Sequence, residues 1–240
     1  MPALVEGVTL VELGGSGGQV VRCGSTVEVV DFDLSEMRAV LGEDQSWALS
    51  SPGVVRGGDV LWATNLGWPE HARPSAQLGA SEPPRVLLND AEAAALGEAA
   101  LNPSLADTAW AYVSLGTGVG SFRSDGDDRH LGHLHGFSDE VCPGCGSLGC
   151  LDTMISGRVL PDPLTADDLE RLVAVLASAL DAWNAPTSVV LGGGLARRYS
   201  DRLPAMLRAA SGRHIKQSRA PAWLKSASPY GLSAALNNPA

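Results

Sequence analysis

Three cysteines lie within nine residues, at Cys142, Cys145 and Cys150, in the run C-P-G-C-G-S-L-G-C. Glycine and proline between them turn the chain tightly enough to aim three thiolates at one point. Zinc takes four tetrahedral sulfur or nitrogen ligands, and Cys3His is a common structural set. His133 and His135 stand nine and seven residues before Cys142, within loop reach. His133 is the expected fourth ligand and His135 the other choice. Four protein ligands leave no open position for water, so the expected zinc site is structural. Three free or redox-active cysteines are the competing reading. Cys23, alone in a strand-like stretch, reads as a small buried hydrophobe.

A second chemistry sits in glycine turns that each follow an expected strand: Gly14-Gly15-Ser16, Gly116-Thr117-Gly118 and Gly192-Gly193-Gly194. Such turns bare backbone N–H groups and let a phosphate come close. Ser16 and Thr117 add hydroxyl donors. One such turn often merely turns; three together point to a bound nucleotide. The third feature is Asn89-Asp90, between a buried strand and a helix. Aspartate there can simply cap the helix. It can also accept a proton from a substrate hydroxyl while the asparagine hydrogen-bonds a neighbouring one.

These residues need elements to hold them. Strands are expected over 8–13, 19–23, 26–30, 46–50, 85–88, 110–115 and 187–191. A short helix is expected over 33–41, with Asp33 as cap and Glu36 three residues on. An Ala-rich helix is expected over 91–101. Thr165 opens a long one whose apolar residues Leu169, Leu172, Val173, Leu176, Leu180 and Trp183 recur helically. Two more helices are expected near 197–210 and 229–236, and loop over 69–84.

The whole chain sets outer bounds. Its 240 residues can bury one large core or two small ones. Hydrophobic residues at 45% and charged residues at 18% are ordinary for a globular protein. A net charge of −10 argues against non-specific nucleic-acid binding. No segment resembling a helix-turn-helix precedes the first strand. No apolar run is long enough for a membrane helix, and the first residues lack a signal-peptide pattern. The expectation is a cytoplasmic protein with reduced thiols, and clustered cysteines there fit metal better than disulfides.

In this order the motifs resemble the ROK family of sugar kinases, sugar-responsive repressors and uncharacterised members, over nearly the whole chain. Asn89-Asp90-Ala91, followed by the alanines up to Glu98, is similar to the family's N-D-A-N-A-A-A-L-A-E stretch. The run from Ser114 to Gly120 is similar to its phosphate-binding turn, and Val189 to Gly194 to its late glycine turn. Gly132-His133 with Cys142, Cys145 and Cys150 is similar to its zinc signature. Pro52-Gly53 and Asn65-Leu66-Gly67-Trp68 are similar to its P-G and N-L-x-G-W elements.

The resemblance implies an α/β fold of two actin-like (ribonuclease-H-like) domains, with an interdomain cleft and a zinc knuckle. The smaller domain would span 1–101 plus about 231–240. The larger would span 102–230, with the knuckle at 133–150. It implies ATP, magnesium and a hexose or amino sugar as small-molecule partners, with no nucleic acid or membrane; a homodimer is compatible with it. Asp90 would be the general base. Asn65, Asn89, Asp90, His133 and Asp152 would line the sugar site, with His133 shared between sugar and zinc. Glu12, Gly14, Gly15, Ser16, Gly116, Thr117 and Gly118 would serve the phosphates and their metal. Gly192, Gly193 and Gly194 would lie near the adenosine.

The departures are specific. Glu12-Leu13-Gly14-Gly15-Ser16 stands where the family has D-x-G-G-T. His130 stands in the sugar site where the family has a glutamate before its G-H. Asp152 replaces the glutamate of C-L-E, and Cys142 and Cys145 are one residue further apart than usual. The stretch from Gly15 to Pro52 is short, which trims the first domain's helical layer. Two functions follow: a divergent sugar kinase, supported by Asp90 and the turns, or a non-catalytic sugar- or nucleotide-binding member, supported by the three changed polar positions. A purely structural protein is the bland option.

Overall fold

A computed structural model describes residues 2–42 and 46–238. Residues 1, 43–45 and 239–240, which fall within the ranges expected for the smaller domain, lie outside the described residues. The chain divides into two compact units, Met1–Pro103 with Arg219–Ala240, and Ser104–Ser218.

The first unit is built on β1 (Thr9–Gly14), β2 (Gly17–Cys23), β3 (Val27–Phe32), β4 (Trp47–Ser51), a hairpin of β5 (Val54–Arg56) and β6 (Asp59–Trp62), α1 (Pro74–Leu78), β7 (Leu87–Asn89) and α2 (Asp90–Leu101). Its five-stranded sheet has the order β3-β2-β1-β4-β7. β1 runs antiparallel to β2 and parallel to β4. Alternation along the central strands sends side chains to two covered faces. Val11, Leu13, Val20, Trp47 and Leu49 pack on one side with Leu66, Trp68 and Leu78. Leu10, Val21, Cys23 and Ala48 pack on the other with Ala93. The first face is covered by short pieces: α1, the β5–β6 hairpin and a 3-10 turn over Leu34–Ala39, whose capping box joins Asp33 and Glu36. Cys23 is buried, and burial followed by Glu6 raises its thiol pKa.

The second unit holds β8 (Trp110–Leu115), β9 (Val119–Arg123), α3 (Asp152–Ile155), α4 (Ala166–Ala182), β10 (Ser188–Gly192), α5 (Gly193–Arg198), α6 (Leu203–Ser211) and β11 (His214–Gln217). Its sheet order is β11-β10-β8-β9. The apolar stripe of α4 packs against Val113, Leu115, Val189 and Leu191, with Leu203 and Leu207 of α6 in the same core. Thr165 caps α4 and Asp168 completes a capping box. Trp183 is fully buried; its indole N–H donates to Arg129 O at 2.8 Å, and the Arg123 guanidinium lies 5.3 Å from its ring.

The single helix expected near 197–210 is two, α5 and α6. Pro204 explains the break: it has no N–H for a helix interior and suits a first turn, where the structure places it. The loop expected over 69–84 contains α1, and β5, β6, β9 and β11 were not foreseen. From Arg219 the chain rejoins the first unit, ahead of the expected 231, because Leu224 belongs to the core under Leu10 and Val21. There α7 (Ser228–Asn237) crosses α2 at glycine. A Cβ on Gly231 would lie 1.8 Å from Ala93 O, and one on Gly97 1.9 Å from Ala227 O. Among the described residues no helix is long and apolar enough to cross a membrane.

Candidate functional site

The knuckle begins at a 3-10 turn over Leu131–His133. Gly132 is required there, since a Cβ would lie 2.2 Å from Val119 O. That close approach sets His133 beside the cysteine loop. Cys142 N donates to Ser147 O and Gly146 N to Cys142 O, both at 2.8 Å, folding the loop back on itself. Val141 and Leu148, both exposed, bridge at its base. The ligand atoms of His133, Cys142, Cys145 and Cys150 all lie within 4.8 Å of one another. His135 is not in this group.

Two edges of the group are resolved. Cys145 Sγ lies 3.5 Å from Cys150 Sγ, and Cys142 Sγ 3.8 Å from His133 Nδ1. Tetrahedral ligands about 2.0–2.3 Å from zinc stand roughly 3.3–3.8 Å apart, so the donor set and its spacing fit the ion. The extra residue between Cys142 and Cys145 does not spoil that spacing. Burial, then the neighbouring Cys145, pushes the Cys150 thiol up to about 12. Cys145 is held below the ordinary thiol value: burial opposes this, but hydrogen bonds with Ser147, Cys150 and Cys142 together outweigh it. A bound cation removes the penalty on gathered thiolates.

In the same unit, β8 and β9 are joined by Gly116-Thr117-Gly118, all partly buried, and Gly116 N donates to Gly118 O at 3.0 Å. A Cβ on Gly116 would meet only Gly118 O, at 4.0 Å. That side of the turn is open, which suits an approaching phosphate. Asp152 follows the knuckle at the start of α3 and is buried. Its Oδ1 accepts from Val119 N at 2.7 Å, and its Oδ2 pairs with Arg158 Nη1 at 3.0 Å. Arg158 is a partner no sequence motif announced. The His130 ring lies 6.4 Å from that of His133, edge to face.

Gly192 and Gly193 are explained by packing. Cβ atoms there would lie 2.1 Å from the Tyr112 hydroxyl and 2.4 Å from Leu115 O, so the end of β10 sits tightly on β8. Gly194 has open space around its Cβ position and is exposed.

In the first unit, Gly14-Gly15-Ser16 forms the tight connection between β1 and β2. Glu12 is half-buried near the end of β1, opposite Gln19 on β2 and Ser50 on β4. Asn89 caps α2: its Oδ1 accepts from Ala91 N at 2.9 Å and Glu92 N at 3.3 Å. Its Nδ2 donates to Gly53 O at 2.9 Å, which ties the cap to Pro52-Gly53. Gly53 has φ +96°, and a Cβ there would lie 2.0 Å from Trp62 O, so glycine is the residue that fits. Asp90 is the first residue of α2, half-buried, with Oδ1 2.9 Å from Ala91 N. Asn65 is half-buried in a 3-10 turn over Thr64–Leu66. The first unit thus carries Glu12, Asn65, Asn89 and Asp90. The second carries the candidate metal-ligand group with His130, Asp152 and the turns at 116–118 and 192–194.

These α/β units share the actin-like fold of known sugar kinases. The chain is similar to the ROK family glucokinase from Streptomyces griseus solved with glucose and AMPPNP: TM-score 0.71 and 18% identity, over 96% of this chain and 98% of that one. Similarity to the ROK hexokinase from Thermus thermophilus gives a TM-score of 0.62 at 24% identity, over 95% and 97% of the two chains. The ROK family model matches residues 26–167, more than half of the sequence, and the chain belongs to the ROK family. The N-acetylmannosamine kinase of Escherichia coli O157:H7 is 35% identical over 129 residues, 48% of this chain and 43% of that protein. The chain thus spans less than half the length of the curated relatives it matches.

Proposed function

We propose that this ROK protein transfers the γ-phosphoryl group of ATP to a hydroxyl of a hexose or amino sugar. The observation that carries this reading is Asp90, at the first turn of α2 directly after the Asn89 cap. Asp90 takes the proton of the sugar hydroxyl. The hydroxyl oxygen attacks the γ-phosphorus, the bond to the bridging oxygen breaks, and ADP leaves. Amides at Gly116 to Gly118 and Gly14 to Ser16, with the Thr117 and Ser16 hydroxyls, hold phosphate oxygens. Glu12 serves the metal, Asn65, Asn89, His130 and His133 hold sugar hydroxyls, and Gly194 borders the adenosine. Magnesium, bound with ATP, supplies charge neutralisation. The similarity to an N-acetylmannosamine kinase makes an amino sugar the first substrate to try.

His133, Cys142, Cys145 and Cys150 bind one structural zinc ion in this reading. Zinc, when bound, supplies a tetrahedral crosslink that fixes the knuckle. A reducing, cytoplasmic setting suits its thiolate ligands.

The test is an ATP-consumption screen over hexoses and amino sugars, run beside Asp90→Asn. Turnover with at least one sugar is expected, lowered about 10²–10⁴-fold in Asp90→Asn with the fold intact. Full activity in that variant sinks the proton-transfer role. No turnover with any sugar favours the second reading, a binding protein without catalysis, for which Glu12 and His130 speak. Calorimetry with sugars and AMPPNP then identifies its ligand.

A further inference from the structure

Asp152 invites assignment as a sugar ligand, because a carboxylate follows the last cysteine. The distances point elsewhere. Both of its oxygens are engaged within the second unit, one by Val119 N at 2.7 Å and the other by Arg158 Nη1 at 3.0 Å. The carboxylate lies against the glycine turn, since a Cβ on Gly118 would stand 3.0 Å from Asp152 Oδ1. The same segment grips the other end of the turn: Gly157 N donates to Gly116 O at 2.8 Å. A Cβ on Gly157 would come 2.7 Å from Gly116 O, so this contact too depends on close approach. Residues 152–158 therefore hold the 116–119 turn at both ends. Only Leu151 separates them from Cys150, and Leu151 N donates to Leu134 O at 2.9 Å.

We propose that Asp152, with Arg158, is a positioning residue for the Gly116–Val119 turn and not a holder of the sugar. A buried carboxylate must be paired and hydrogen-bonded to be tolerated; here one partner is the turn's own Val119 N–H, and the other is Arg158, next to the Gly157 that holds Gly116 O. The backbone amides offered to a phosphate keep their direction only while Val119 N is fixed. The knuckle's frame thus reaches the nucleotide side of the reaction; this consequence for nucleotide rests on the kinase reading above. It also leaves the sugar with fewer carboxylate ligands than Asp152 would suggest.

Hydrogen exchange and ligand binding test this together, using Asp152→Ala, the conservative Asp152→Asn, and Arg158→Gln. In Asp152→Ala, amides over 116–120 are expected to exchange at least roughly tenfold faster, and AMPPNP affinity to fall by a similar factor. Affinity for glucose and N-acetylmannosamine should stay within about twofold. Asp152→Asn keeps an acceptor for Val119 N and should restore part of the protection. Arg158→Gln, at a partly exposed side chain, carries the test if Asp152→Ala does not fold. Unchanged exchange over 116–120 in every folded variant overturns the proposal. So does loss of sugar affinity with nucleotide affinity intact. If the unmodified protein binds no nucleotide, the kinase reading fails, while the exchange rates still decide the clasp.

Discussion

Asn89 does two jobs with one amide. Its oxygen satisfies two backbone donors at the start of α2, and its nitrogen holds Gly53 O. Asn89→Ala is expected to cost about 1 kcal/mol, up to about 2, on thermal unfolding. Asn89→Asp keeps the cap, loses the donor to Gly53, and should fall between the two. Equal melting of all three proteins contradicts the double role. The cap was legible in the sequence, because asparagine before an Ala-rich run is a helix start. The tie to Gly53 was not, because 36 residues separate the partners. The candidate ligand group was legible for the opposite reason: its spacing is local, and His133, not His135, lies with the three cysteines. Asp152 shows where resemblance runs out: Val119 lies in the phosphate-turn motif, but nothing in the sequence pairs it with Asp152, and Arg158 belongs to no motif.

Elements were legible where a period repeats long enough. The stripe of α4 and the strand Trp110–Leu115 match their expected positions closely. β9 and β11 were missed because they are short and lack strict alternation; tertiary pairing makes them strands. The α2–α7 crossing was invisible as well, since glycine inside a helix reads as a weakness, not as a contact. Gly97 and Gly231 each leave room for a backbone carbonyl of the other helix's segment. Gly231→Ala is expected to destabilise by roughly 1–3 kcal/mol, although alanine is the better helix former. Denaturant unfolding measures this directly. A variant more stable than the parent would mean that helix propensity outweighs the crossing.

For the molecule as a whole, the two units repeat one plan. Strand order runs β2-β1-β4-β7 in the first and β9-β8-β10-β11 in the second, each an antiparallel pair followed by parallel neighbours. No repeat is visible in the residues, because packing fixes only the apolar pattern and leaves its sequence free. The second unit lacks a counterpart of β3, and the knuckle is in that unit. Purified protein is expected to carry about one zinc per chain, measured by metal analysis. Chelation should raise hydrogen exchange in peptides from 104–218 and leave those from the first unit near their starting rates. Equal loss of protection in both units would contradict a purely local role for the metal, and full zinc occupancy in Cys145→Ser would remove that cysteine from the ligand set. The crossing at Gly97 and Gly231 has a further consequence during synthesis. The first unit encloses the second within its own sequence, so its core waits for Leu224, Tyr230 and Leu232. At roughly 5–20 residues per second the ribosome takes on the order of ten seconds to supply them. In that interval the unfinished sheet face under Leu10 and Val21 is the surface a nascent-chain chaperone would find, while the later, contiguous unit is the first able to close.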